Sequence, residues 1–161
     1  PFFGICLGMQ CAVIEFARNV LGFTDAHSIE MQSDTTNPVI NLMQDQKEKT
    51  QMGGTMRLGA YPCTLEKGSK IAGIYKKQTI QERHRHRYEF NNAYLDQFTA
   101  AGLSASGINP DNNLVEVIEL KNHRWFIGTQ YHPEFKSTVL NPHPLFVNFV
   151  GAAIAYKKEK N

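Results

Sequence analysis

The chain has 161 residues, 42% of them hydrophobic and 20% charged, which suits one core-forming domain and excludes a disordered polymer. A formal charge of +2 is too small for a nucleic-acid or membrane-surface protein, which concentrates basic residues on one face. Three cysteines make no disulfide framework and point to reduced thiols in the cytoplasm; no apolar stretch reaches the ~20 residues of a bilayer span.

Phe2-Phe3-Gly4-Ile5 is a short apolar run that ends in a glycine-rich turn, as a buried parallel strand does. Pro1 stands inside that run in place of an initiator Met, so the chain reads as part of a longer protein. From Leu7 to Leu21, apolar residues at Leu7, Cys11, Ile14, Ala17 and Leu21 recur at helical spacing. Strand, sharp turn and helix form the first unit. Residues 32–55 are polar, with a short apolar Pro38-Val39-Ile40, and read as a long loop or insert. Met56 to Leu65 and Thr79 to Asn91 have strand patterns, and Asn92 to Ala101 is helical up to Gly102. Leu114 to Leu120 and Trp125 to Tyr131 read as a hairpin turning at Lys121 to Arg124. A last helix starts after Pro142 and Pro144 and runs into the basic tail Lys157 to Lys160. The order predicts one α/β domain in three layers: a largely parallel central sheet, helices on both faces, and chemistry at the carboxyl edge of a strand.

Gly4-Ile5-Cys6-Leu7-Gly8 matches a nucleophile elbow with cysteine in the place of serine. Such a turn projects its side chain outward, and glycines on either side remove Cβ atoms that would collide there. The following helix sets free N–H groups beside the sulfur, which favours thiolate, and the Leu7 N–H points where an oxyanion would form. A chain of this composition gives about 0.02 such matches by chance. A buried cysteine between two turn glycines is the structural alternative. Cysteine nucleophiles need an oriented imidazole. Tyr131-His132-Pro133-Glu134 supplies one, because residues two apart on an extended segment face the same way and Glu134 can orient His132.

Gln81 to Glu89 is the densest charge cluster. If extended, Arg83, Arg85, Arg87 and Glu89 share one face, and His84, His86 and Tyr88 the other. An exposed, self-paired strand is the plain reading; metal ligation by His84 and His86 lacks an acidic or cysteine partner at fitting spacing. Cys11, Cys63, Trp125 and Phe126 read as core. Gly53-Gly54-Thr55 lacks the ending of a P-loop.

Gly-Ile-Cys-Leu-Gly-Met-Gln at Gly4 to Gln10 and His-Pro-Glu at His132 to Glu134 resemble the class I, triad-type glutamine amidotransferases. Gly53 to Gly59 and Glu82 to Glu89 are similar, more narrowly, to the glutaminase domains of CTP synthases, in collinear order along nearly the whole chain. The resemblance implies that Cys6 is the nucleophile, His132 the acid/base and Glu134 its orienting partner. It implies a glutamine pocket at Leu7, Gly8, Met9, Gln10, Glu30 and Arg87, with Glu30 on the α-ammonium and Arg87 at the α-carboxylate. It further implies that ammonia passes to a synthetase domain that aminates UTP with ATP and Mg²⁺, under GTP activation, in a cytoplasmic homo-oligomer, a tetramer in the family. No cofactor or metal is expected in residues 1–161 themselves. That span would be the C-terminal portion of a glutaminase domain whose first strands and second oxyanion loop lie upstream, so the chain alone should be weakly active and prone to self-association. The elbow and His-Pro-Glu do not separate this reading from glutaminases of GMP, carbamoyl phosphate or anthranilate synthases, from a γ-glutamyl hydrolase or protease-like hydrolase, or from a non-catalytic assembly module of the same fold.

Overall fold

The structure, a computed structural model, describes residues 1–42 and 56–160. The glycines at 53 and 54, and most of the insert expected over 32–55, lie outside the described residues. Among the described residues nine strands run β1 (Phe2–Ile5), β2 (His27–Ser28), β3 (Pro38–Leu42), β4 (Arg57–Leu65), β5 (Thr79–His86), β6 (Tyr88–Phe90), β7 (Leu103–Ile108), β8 (Val115–Leu120) and β9 (Phe126–Thr129). Among the described residues four α-helices join them: α1 (Leu7–Asn19), α2 (Lys70–Tyr75), α3 (Leu95–Ala100) and α4 (Pro144–Lys160).

Six strands form one sheet in the order β1-β9-β8-β7-β4-β5, and β2-β3-β6 form a second, smaller one. The three-layer α/β expectation holds, but the largely parallel sheet does not. In the large sheet only β1 and β9 run parallel, and every other pairing is antiparallel. The physical reason is connection length. A parallel return needs a crossover of a dozen residues or more, whereas β8 and β9 are joined by the tight Lys121–Trp125 turn that the sequence marks as a hairpin.

β8 is central and buried along nearly its whole length, as a strand covered on both faces should be. Its neighbours Val117 and Ile118 enter different cores. Ile118 joins Met9, Val13, Phe16 and Phe98 under α1 and α3, and Val117 joins Ile71, Trp125, Ile127 and Leu145 under α2 and α4. The small sheet closes on the α1 side, where Val39, Ile40 and Phe90 enter the first core.

α1 begins without a side-chain cap on its first turn, so packing of its apolar stripe, rather than capping, fixes where it starts. Cys11 faces away from that stripe and is exposed, against the expectation that it is a core thiol; Cys63 is fully buried. Trp125 is core as expected, while Phe126 is only partly buried and stacks on Phe2. α2 has no apolar periodicity to announce it. It is held by the Ser69 hydroxyl and by Glu119, whose buried carboxylate accepts from the Lys70 and Ile71 amides, a negative group where the helix dipole favours one. No helix among the described residues is long and apolar enough to cross a membrane.

Candidate active site

The turn after β1 is built as an elbow. Cys6 has φ 49° and ψ −103°, a conformation that is strained for a non-glycine residue and occurs mainly where surrounding structure enforces it. Its backbone N–H donates to Thr129 O on β9 (2.7 Å) and its carbonyl accepts from Gln10 N (3.1 Å). Gly4 is what permits the turn. A Cβ there would sit 2.7 Å from the Gly8 carbonyl carbon and 2.9 Å from Met9 N, so the strand passes against the backbone of the first helical turn. Gly8 differs from expectation, because a Cβ on it meets nothing within 4 Å; only one of the two glycines clears space for the turn.

Because β1 and β9 are parallel neighbours, with Ile5 opposite Thr129, the residues that follow them leave the sheet at the same edge. Cys6 follows β1, and His132 comes three residues after the end of β9. His132 is anchored by its N–H, which donates to Arg83 O on β5 (2.8 Å), and by a stacked ring contact with Phe135 at 4.8 Å. Its Nδ1 meets Glu134 Oε1 at 2.6 Å, while its Nε2 is buried with no hydrogen-bond partner. The pair forms as expected, though by another route. Pro133–Lys136 is a 3-10 turn rather than an extended segment, and its tight winding brings Glu134 back onto the ring.

The sulfur does not rest as thiolate. Burial pushes the Cys6 thiol up to about 11, with the charges of Glu89 and Glu134 adding to the effect, while hydrogen bonds from the Leu7 N–H and the Gln130 amide pull it down. Gln130 Nε2 lies 3.7 Å from Sγ and its Oε1 accepts from Gln10 Nε2 (3.2 Å). The expectation that the helix N-terminus alone favours thiolate is overturned, because desolvation outweighs two donors. Ionising this thiol requires a proton acceptor.

The structure places the remaining sequence candidates as follows. Leu7 is exposed and its N–H serves the sulfur. Gly8 is half-buried, and Met9 is fully buried in the core, so only its backbone is available to a ligand. Gln10 is buried, donating to Tyr88 O (2.9 Å). Glu30 is exposed on the turn after β2, and Arg87 is half-buried at the bend between β5 and β6. Ser28 lies opposite Ile40, and Leu42 opposite Tyr88, so Glu30 and Arg87 belong to the same end of the small sheet, next to the Tyr88 carbonyl that Gln10 holds. Asp25 fixes the loop that bears Glu30, accepting from Thr36 Oγ1 (2.5 Å), Asn37 Nδ2 (2.6 Å) and Thr36 N (2.8 Å), and these bonds hold its carboxyl down at about 2.

Two features escape the sequence reading. Gln130 touches both Cys6 and Gln10, and its place directly before Tyr131-His132-Pro133-Glu134 is the signal that could have found it. The charged run does not stay exposed. On β5 the side chains alternate, with Arg83 and Arg85 out and Glu82, His84 and His86 in. The bend at Arg87 then shifts the alternation so that Glu89 is buried beside the histidines rather than sharing a face with the arginines. Among the described residues no group of three or more His, Cys, Asp or Glu side chains is placed to hold a metal ion.

Residues 1–152 match the family model for glutamine amidotransferase class-I. The CTP synthase of Cytophaga hutchinsonii is 67% identical over 160 residues, covering 99% of this chain and 30% of the relative. This chain therefore spans about 30% of the length of the curated relatives it matches. Among solved structures, the glutaminase domain of Trypanosoma brucei CTPS with bound acivicin superposes with a TM-score of 0.89 at 42% identity, covering 96% of this chain and 60% of that one. A Thermoplasma acidophilum protein described as part of a GMP synthase gives a TM-score of 0.64 at 18% identity, over 99% of this chain and 60% of that one; this likeness is one of fold alone.

Proposed function

The chain belongs to the class-I glutamine amidotransferase family, and from that premise we propose that Cys6, His132 and Glu134 split L-glutamine into glutamate and ammonia. What supports this reading is that an elbow cysteine directly follows β1 and a carboxylate-bound imidazole follows its parallel neighbour β9, so both leave the sheet at one edge. The free Nε2 of His132 takes the Cys6 proton, and Sγ attacks the side-chain amide carbon. The tetrahedral oxyanion draws on the Leu7 N–H. The C–N bond breaks as His132 returns the proton to the leaving nitrogen, which departs as ammonia. Water, deprotonated by the same imidazole, then cleaves the glutamyl thioester. Glu134 keeps Nδ1 protonated and stabilises the imidazolium. A thiol held near 11 by burial stays protonated until His132 takes its proton, which limits attack on stray electrophiles. Glu30 and Arg87 suit the α-ammonium and α-carboxylate of glutamine, with Gln10 and the Gly8 and Met9 backbone shaping the floor.

The trypanosomal relative binds acivicin, a glutamine analogue, and we extend that specificity to this chain. We assign the ammonia to a CTP synthase, where a synthetase part aminates UTP with ATP and Mg²⁺ under GTP control, in a cytoplasmic oligomer, a tetramer as in the family. The two collinear segments and the identity to CTP synthases support this. On this reading the ATP and Mg²⁺ chemistry belongs to the synthetase part, and no step here depends on it.

An electrophilic glutamine analogue tests the reading. Stoichiometric labelling of Cys6, abolished by Cys6→Ala, is expected in the full-length enzyme, and absence of labelling would favour an assembly module. Glu134→Gln should lower kcat for ammonia release by about 10- to 100-fold with little change in KM. That is less than the ~10⁴ seen for a buried triad carboxylate, because Glu134 is 43% exposed and water compensates in part. An unchanged kcat would remove Glu134 from the mechanism.

A further inference from the structure

Near the elbow lies a buried circuit of five side chains that the hydrolysis as described does not use. Arg57 on β4 donates from Nη1 to Glu89 Oε1 (3.2 Å) and from Nη2 to Glu116 Oε1 (2.8 Å). On β5, His84 Nδ1 and His86 Nε2 are joined at 2.7 Å. Two wider gaps complete the circuit: His84 Nε2 faces Glu116 Oε2 at 3.5 Å and His86 Nδ1 faces Glu89 Oε1 at 3.3 Å, and neither nitrogen makes a hydrogen bond there. None of the five is more than 7% exposed. The ring adjoins the site through two glutamines: Gln130 donates its backbone N–H to the Glu116 carbonyl (2.8 Å) and reaches Cys6 Sγ with its side chain (3.7 Å), and Gln10 holds the carbonyl of Tyr88, the residue before Glu89 (2.9 Å). At this range the charge of Glu89 raises the Cys6 thiol.

Counting protons around the ring gives a definite answer. Burial and the Arg57 charge keep both imidazoles neutral, with His86 brought down to about 3 and His84 shifted the same way. A neutral imidazole carries one N–H, and the bond between the two rings uses one N–H and one lone pair. If His86 donates, its Nδ1 is bare and faces Glu89. If His84 donates, its Nε2 is bare and faces Glu116. A bare nitrogen facing an ionised carboxylate sets lone pair against lone pair in a buried place, so the facing carboxyl must carry a proton. Charge counting agrees, because one buried guanidinium balances one carboxylate and not two.

We propose that the ring holds one proton shared between Glu89 and Glu116, and that keeping it on Glu89 removes negative charge from beside Cys6 so that the thiol can ionise in catalysis. The proposal rests on the reading of Cys6 as nucleophile. Transfer around the ring is balanced: Glu116 Oε2 gives its proton to His84 Nε2, His84 Nδ1 gives one to His86 Nε2, and His86 Nδ1 gives one to Glu89 Oε1. Each bond broken is matched by one formed, and both imidazoles end neutral. The shorter Arg57 contact with Glu116 favours the charge there and the proton on Glu89, and burial raises both carboxyls, Glu89 to about 8. The titratable groups around Glu89 are Arg57 from β4, His84 and His86 from β5, Glu116 from β8 and Cys6 at the head of α1, with His132 acting on the imidazoles; β3, its strand partner, contributes none. Glu89 is a positioning residue, acting through the thiol and touching no substrate.

The test compares wild type and Glu89→Gln in the full-length enzyme, reading glutamine hydrolysis and Cys6 alkylation by iodoacetamide across pH. Wild-type hydrolysis should decline above about pH 8, where Glu89 loses its proton. Glu89→Gln, permanently uncharged and able to donate to His86, should move that decline up by about one pH unit or more and alkylate about tenfold faster at alkaline pH. An alkaline limb that coincides with the wild type overturns the proposal, as does a folded Glu89→Gln that is inactive at every pH. If the variant fails to fold, carbon-13 NMR of wild type labelled at glutamate carboxyls decides. A glutamate still protonated at pH 7 supports the ring proton, and full ionisation of every glutamate by pH 7 overturns it. The NMR result does not depend on Cys6 chemistry, so failure of the ring and failure of the nucleophile assignment are distinguishable.

Discussion

Replacing Cys6 with alanine is expected to reduce glutamine hydrolysis by on the order of 10⁴–10⁶-fold while leaving the fold intact. The magnitude follows from what the sulfur does. Without it no thioester forms, and the residual rate is that of a positioned water near an oxyanion donor. The fold should persist because Cys6 is only partly buried, and what fixes the elbow is backbone: the Cys6 N–H on Thr129 O and the close pass of Gly4. Cys6→Ser should also be severely impaired, since a hydroxyl is harder still to deprotonate in this desolvated turn. Ammonia release by Cys6→Ala within tenfold of wild type would end the covalent mechanism. Measuring uncatalysed ammonia loss in parallel sets the floor against which the residual rate is read.

Gly4→Ala should be strongly destabilising, a single methyl set against backbone. The new Cβ meets the Gly8 carbonyl carbon at 2.7 Å, the Gly8 oxygen at 2.8 Å and Met9 N at 2.9 Å. These are backbone atoms of a helix packed into the core, so no side-chain rotation relieves the collision, and the head of α1 must move. Overpacking usually costs about 1–3 kcal/mol where side chains can shift; with backbone on both sides about 3 kcal/mol or more is expected, a fall in Tm of roughly 6–12 °C. Gly8→Ala is the control. Its Cβ meets nothing within 4 Å, it lies inside a helix, and replacing glycine there should stabilise by up to about 1 kcal/mol. Thermal unfolding of the two variants checks this, and a Gly4→Ala melting point equal to wild type would mean that the elbow is not held as described.

The parts of the molecule visible in the sequence are those that local rules determine. The β1-elbow-α1 unit, the β8–β9 hairpin and α4 each carry their own periodicity and turn signals, and Cys6, His132 and Glu134 announce themselves by motif. What was not visible depends on tertiary context. The expectation of a largely parallel sheet fails because strand direction is set by which segments meet in the fold, and β4, β5, β7 and β8 all pair antiparallel. α2 and β7 went unread because Lys70–Tyr75 and Leu103–Ile108 owe their state to neighbours: Glu119 caps the former, and β8 pairs the latter. The thiol's acidity is not legible in the sequence, which shows a helix start but not the burial that outweighs it. The Arg-His-Arg-His-Arg run was half read. Period two correctly divided Arg83 and Arg85 from His84 and His86, but the bend at Arg87 moved Glu89 across, and only the fold could bring Arg57 and Glu116, distant in sequence, to meet it.

The buried ring and the more open His132–Glu134 pair follow one physical principle. Where Glu134 is partly exposed, water shares its work; where Glu89 and Glu116 are sealed in, each proton must be accounted for. That contrast is why Glu134→Gln should change a rate and Glu89→Gln a pH profile.

The most direct measurement is rapid acid quenching of the full-length enzyme during turnover, followed by mass analysis of the peptide that carries Cys6. The account requires a glutamyl group joined to that sulfur, equal in mass to glutamine less ammonia, which accumulates when deacylation is slowed and is absent from Cys6→Ala. Steady production of glutamate with no adduct on Cys6 at any quench time would contradict it.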